Sequence, residues 1–133
     1  MARRPVTTQD DVRRLALALP EVVEGTDDFG FAVRHGAKSR GFAWAWRERL
    51  EPKKPRVPHD GVLVVRVADG GTKEMLLAAE PEKFFTEPHY SGFPAVLVRL
   101  DMVDLEELGE LLTEAWCCMA PPARRRQFEA GQG

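Results

Sequence analysis

The sequence predicts an α+β fold, an antiparallel sheet with helices packed on one face, forming a single domain over residues 1–133. Three observations lead there. A chain of 133 residues with 44% hydrophobic and 30% charged residues has the size and composition of one globular core. Apolar residues recur at helical spacing near both ends of the chain and at a spacing of two in between. Two of the alternating runs are joined by the polar connection His35-Gly36-Ala37-Lys38-Ser39-Arg40, a hairpin signature that favours antiparallel pairing.

At the start, Thr8 can cap a helix with Asp11 as its capping-box partner, and Val12, Leu15, Ala16 and Leu19 then share one face. Pro20 ends that helix, and residues 21–28 read as an acidic loop. In the hairpin, Phe29, Phe31 and Val33 alternate with smaller or polar residues, as do Phe42, Trp44 and Trp46, which places the last three on one face. Residues 47–60 read as a charged loop kept out of a central strand by Pro52, Pro55 and Pro58. Residues 62–67, apolar and β-branched, predict a central strand. Gly70-Gly71 reads as a turn, Thr72 as the cap of a short helix, and Pro81 as the opening of a further helical turn ending near Phe85. A turn-rich segment, residues 86–94, leads to a strand over residues 95–100. Asp104 and Glu107 start the longest helix, whose stripe is Leu105, Leu108, Leu112, Ala115, Trp116 and Met119. Pro121 and Pro122 break it, and residues 123–130 can form a last short helix. The expected core holds Leu15, Leu19, Val65, Val98, Leu108, Leu112 and Trp116, and the outer sheet face is expected to be open to water or a partner.

Charge and motif content exclude several function classes. The formal charge is −2, so the chain is not basic throughout, as a chain pointing wholly to nucleic acid or an acidic membrane surface would be. No apolar run reaches membrane-spanning or signal-peptide length, so no membrane is expected as a partner. Cys117 and Cys118 are adjacent and form no disulfide framework, which points to a reducing cytoplasm. His35, His59 and His89 match no zinc or metalloprotease spacing, and no nucleophile–base pair, phosphate loop or dinucleotide fingerprint is present. The chain therefore reads as non-enzymatic, with no cofactor and no structural metal.

Two constellations remain. Residues 34–56 carry eight basic residues and two acids, with Trp44 and Trp46 among them. Cations neutralise phosphate and aromatic rings stack on bases, so this stretch suits nucleic acid; an arginine-rich, solvated sheet edge accounts for the same residues. Arg66 and Arg99 interrupt two apolar strands, each sharing a face with apolar neighbours, and could clamp a carboxylate or phosphate or else pair with an acid on a neighbouring strand. His89 and Tyr90 lie between Pro88 and Pro94, where they either serve a small pocket or pin the loop. The glutamates 106, 107, 110 and 114 read as a solvated helical face.

Three places resemble the MmcQ/YjbR family of small bacterial proteins: Leu17-Ala18-Leu19-Pro20-Glu21; Pro81 through Pro88-His89-Tyr90 with the strand Val96-Leu97-Val98-Arg99-Leu100-Asp101; and the closing helix through Leu108, Leu111, Leu112, Ala115 and Trp116. The resemblance implies an antiparallel sheet covered by helices and DNA binding through a double-wing arrangement. Phe93-Pro94 stands where many relatives have a tryptophan, and Arg66 where many have a lysine. The leading expectation is thus a small cytoplasmic protein that binds double-stranded DNA through phosphate contacts from Lys38, Arg40, Arg47, Lys53 and Lys54. The alternative is an interaction module taking a protein or a small acidic ligand with Arg66, His89, Tyr90 and Arg99.

Overall fold

The computed structural model describes residues 7–25, 29–48 and 57–132. Helix α1 (Gln9–Leu17) starts in a complete capping box: the Asp11 amide donates to the Thr8 hydroxyl, and the Thr8 amide donates to the Asp11 carboxylate. Six antiparallel strands follow, β1 (Val22–Glu24), β2 (Gly30–His35), β3 (Lys38–Glu48), β4 (Val57–Arg66), β5 (Phe84–Phe85) and β6 (Ala95–Arg99), in the spatial order β1-β2-β3-β4-β6-β5. Helix α2 (Gly70–Ala79) connects β4 to the β5 edge, and helices α3 (Leu105–Met119) and α4 (Pro122–Gln132) close the chain. The predicted α+β class holds: α3 packs across β2, β3 and β4, α1 packs on α3 and β1, and α2 packs on β5 and β6.

The main core lies between sheet and helices. Leu63, Val65, Val96 and Val98 meet Leu108, Leu112, Ala115 and Trp116, all fully buried or nearly so, while Leu15 and Leu19 pack at its margin. Leu105 leaves the predicted stripe and is exposed, since as the first helical residue it lies beyond the sheet contact. The Trp116 indole donates to the Pro20 carbonyl at 2.9 Å, and its ring packs against Phe128 of α4. Residues β4 62–65 are buried on both faces, which is why they read as an unbroken apolar run.

Several expectations need correction. Residues 22–24 are not loop but β1, paired with β2 and held to α1 by a bidentate bond from Arg13 to Glu24 at 3.0 Å. The hairpin connection is only Gly36-Ala37, with His35 opposite Lys38; Gly36 has a φ of 65°, as the first position of a type II′ turn requires. Residues 57–60 belong to β4 despite Pro58. There β4 pairs with β3 alone, because β6 reaches only residues 62–66, and such an edge position is where a strand tolerates proline. The cap of α2 is Asp69, whose carboxylate accepts from the Thr72 amide at 2.8 Å, and Gly70 and Gly71 are helical. The same bond holds the Asp69 carboxyl below its usual range. Phe84 and Phe85 form the edge strand β5 rather than a helical turn.

The largest correction concerns the tryptophans. Phe31 pairs with Ala43 and Ala32 with Gly41, leaving Phe42 as an extra, bulged residue. Phe42 and Ala43 therefore both enter the main core, and the alternation restarts with Trp44 on the opposite face. Gly30 and Gly41 leave room for the indole: a Cβ at Gly30 would sit 3.3 Å from the Trp44 Cβ, and one at Gly41 would sit 3.6 Å from the indole ring. Trp44 and Trp46 join Phe85 and Tyr90 over Val62, Val64, Ala95 and Leu97, so the outer face is roofed by aromatic side chains rather than open.

Leu112 is fully buried between α3 and the sheet. Leu112→Ala should cost roughly 2–5 kcal/mol in urea unfolding, and a loss under about 1 kcal/mol would mean that α3 does not pack as described.

Candidate functional site

The cations named from the sequence do not form one compact site. Lys38 and Arg40 lie at the hairpin end of β3, exposed and with no acidic partner among the described residues. Arg40 pairs across the ladder with Val33 and Lys38 with His35, so both project on the helix-bearing face beyond the end of the core. Arg47 is exposed seven residues further along β3, which corresponds to roughly 20 Å of strand. Lys53 and Lys54 lie outside the described residues.

A second basic group lies beside this strand pair and was not recognised in the sequence. Glu21 places one carboxylate oxygen 3.8 Å from the Arg34 guanidinium on β2 and the other 3.6 Å from that of Arg124 on α4. Glu21 has a φ of 59°, and its carbonyl accepts the Arg34 amide hydrogen at 3.0 Å. The basic triplet at residues 124–126 was visible in the sequence, but its nearness to the hairpin depends on α4 folding back against Trp116.

The residues named for a small ligand fall into separate environments. Arg99 stacks over Phe85 at 4.2 Å and donates to the carbonyls of Pro81 and Glu82 at 3.2 and 3.4 Å, so it braces the edge strand. Arg66 stacks over Phe93 at 4.6 Å, and among the described residues its buried Nε has no hydrogen-bond partner. Arg66 pairs with Ala95 and Arg99 with Val62, so the two arginines stand roughly 13 Å apart along the ladder, each stacked on a different ring. Tyr90 accepts a 3.0 Å bond from the Trp44 indole, whereas His89 is exposed and packs edge-on against the Tyr90 ring.

The turn carrying His89 and Tyr90 is fixed from beneath by Lys73 of α2. Lys73 is only 7% exposed and donates to the carbonyls of Tyr90 at 2.6 Å and Phe93 at 2.9 Å; burial lowers its pKa. Cys117 and Cys118 are free thiols whose pKa is raised, chiefly by burial and then by Glu114. Among the described residues no group of three or more His, Cys, Asp or Glu is placed to hold a metal ion, and no helix is long and apolar enough to cross a membrane.

The family model for YjbR matches residues 17–118, most of the chain. The chain belongs to the YjbR family. Two mycobacterial proteins described only as uncharacterized, Rv2570 of Mycobacterium tuberculosis and Mb2600 of Mycobacterium bovis, are each 38% identical to it over 129 residues, covering 96% of this chain and 100% of theirs. The crystal structure of Deinococcus radiodurans protein DR2400, with the family-model domain DUF419, superposes with a TM-score of 0.66 at 28% identity, covering 96% of this chain and 92% of that one. The hairpin and the aromatic roof lie inside the span matched by the YjbR model, whereas Arg124 lies beyond it.

With both thiols held protonated by burial, Cys117 and Cys118 should react with an aromatic disulfide reagent more slowly than glutathione does at about pH 8. Faster reaction would place at least one sulfur in an exposed, electropositive setting.

Proposed function

We propose that this YjbR protein is a non-enzymatic cytoplasmic protein that binds double-stranded DNA through the β2–β3 hairpin, by phosphate contacts rather than base contacts. The observation that carries this reading is the set of exposed cations along the β2–β3 hairpin. Lys38, Arg40 and Arg47 are exposed on β3, and Arg34 and Arg124 lie on the same side, toward β1. Glu80, Glu107, Glu110 and Glu114 instead line a separate groove between α2 and α3, beside Phe84. Cations spread over roughly 30 Å of one strand suit a polyanion better than a compact anion, because separate phosphates can satisfy each of them. Phosphate contacts carry no base information, so binding would be salt-sensitive and largely indifferent to sequence.

A second reading rests on Arg66. Its guanidinium stacks on Phe93 and has a buried Nε with no partner among the described residues, which supports an interaction module that takes a protein or a small acidic ligand at the Arg66–Phe93 corner.

Electrophoretic shift of unrelated duplexes at two salt concentrations tests the first reading. Each phosphate contact should contribute about −0.9 to the salt slope, so Lys38→Gln with Arg40→Gln should weaken binding and reduce the slope by up to about 2, equally for all duplexes. Stability should barely change, since both side chains are exposed. Wild-type protein that shifts no duplex even at low salt would rule the DNA reading out and favour the Arg66 corner.

A further inference from the structure

The groove between α2 and α3 belongs neither to the hairpin nor to the Arg66 corner. It encloses about 700 Å³. Its floor is apolar: Met75, Leu76 and Ala79 from α2, Leu111 from α3, and Phe84 beneath. Met75 is 62% exposed, although it is a large apolar side chain with three rotatable bonds that can adapt to a partner's shape.

The rim is acidic: Glu80, Glu107, Glu110 and Glu114 stand around the trough. Glu107, Glu110 and Glu114 follow one another along α3 at spacings of three and four residues, so they form one row about 10 Å long. Lys83 neutralises the row only at one end, with its ammonium 2.6 Å from Glu107 and 3.2 Å from Glu80. Glu110 and Glu114 are exposed and have no cationic partner among the described residues. A row of acids one helical turn apart beside an apolar trough is the complement of a helix that carries an apolar ridge flanked by cations at the same spacing.

We propose that this groove docks a basic amphipathic α-helix of a partner protein. Its apolar ridge lies along Met75, Leu76 and Leu111, and its lysines or arginines pair with Glu110 and Glu114. The spacing of the glutamates favours this occupant over a compact cationic molecule, which could engage only one end of the row.

The probe is a fluorescein-labelled peptide of about fifteen leucines and lysines patterned as an amphipathic helix, titrated with the full chain and followed by anisotropy. Two control peptides are needed, one of the same composition with its leucines scattered over all faces, and one with glutamate in place of lysine. Saturable binding of the patterned basic peptide alone is expected. The double variant Glu110→Lys, Glu114→Lys should weaken it roughly tenfold, and Met75→Gln should weaken it further. These positions are exposed, and an unchanged thermal melt would show that each variant is folded. Equal binding of the scattered peptide, no saturable binding, or indifference to the double charge reversal would each overturn the proposal. Sedimentation showing a wild-type dimer that Glu110→Lys, Glu114→Lys dissociates would overturn it too, by giving the groove to a second copy of this chain.

Discussion

The arrangement of both faces of the sheet depends on one unpaired residue. Phe42 has no partner on β2, and this single insertion lets Phe42 and Ala43 both point into the helix-covered core. Without it, the strict alternation of a strand would keep Trp44 and Trp46 on the face of Phe42, where α3 already packs. With it, the two indoles cross to the far side and bury Val62, Val64, Ala95 and Leu97 there. A sheet that the sequence suggests is half-wet thereby acquires two apolar layers, and β4 and β6 become its most buried strands.

The outer layer is held by polar bonds at its margin as well as by apolar contact. Trp44 donates to Tyr90, Arg66 and Arg99 stack on Phe93 and Phe85, and Lys73 reaches from α2 to the carbonyls of the turn that presents Tyr90. The strand arginines therefore differ in kind. Arg99 has carbonyl partners for its donors and works as a brace, whereas Arg66 stacks without satisfying its Nε.

What was legible in the sequence was mostly local. The capping box of α1, the Asp104 cap and apolar stripe of α3 and the run through residues 62–65 follow from chemistry between near neighbours, and they place the core correctly. What escaped depends on partners distant in the chain. Short strands such as Val22–Glu24 and Phe84–Phe85 have too few residues to show a period, and exist because β2 and β6 offer them free edges. A bulge leaves no mark in a pattern of alternating aromatics, so the face of Trp44 could not be read from spacing. Of the candidate site residues, Lys38, Arg40 and Arg47 were recognisable as surface cations, but the convergence of Arg34 and Arg124 on Glu21 needed the tertiary fold.

Glu21 is also where two requirements on one residue conflict. Its backbone occupies the left-handed region, which glycine adopts freely and a glutamate only at a cost of about 1 kcal/mol or more. Its side chain is the acid set between Arg34 and Arg124 among the described residues, so the residue that would relax the backbone would also remove the counter-charge that these two guanidinium groups share. Aspartate or asparagine tolerates the conformation better but has a shorter reach. The corner after Pro20 is therefore a point of local frustration, where electrostatics decides the residue against the preference of the main chain.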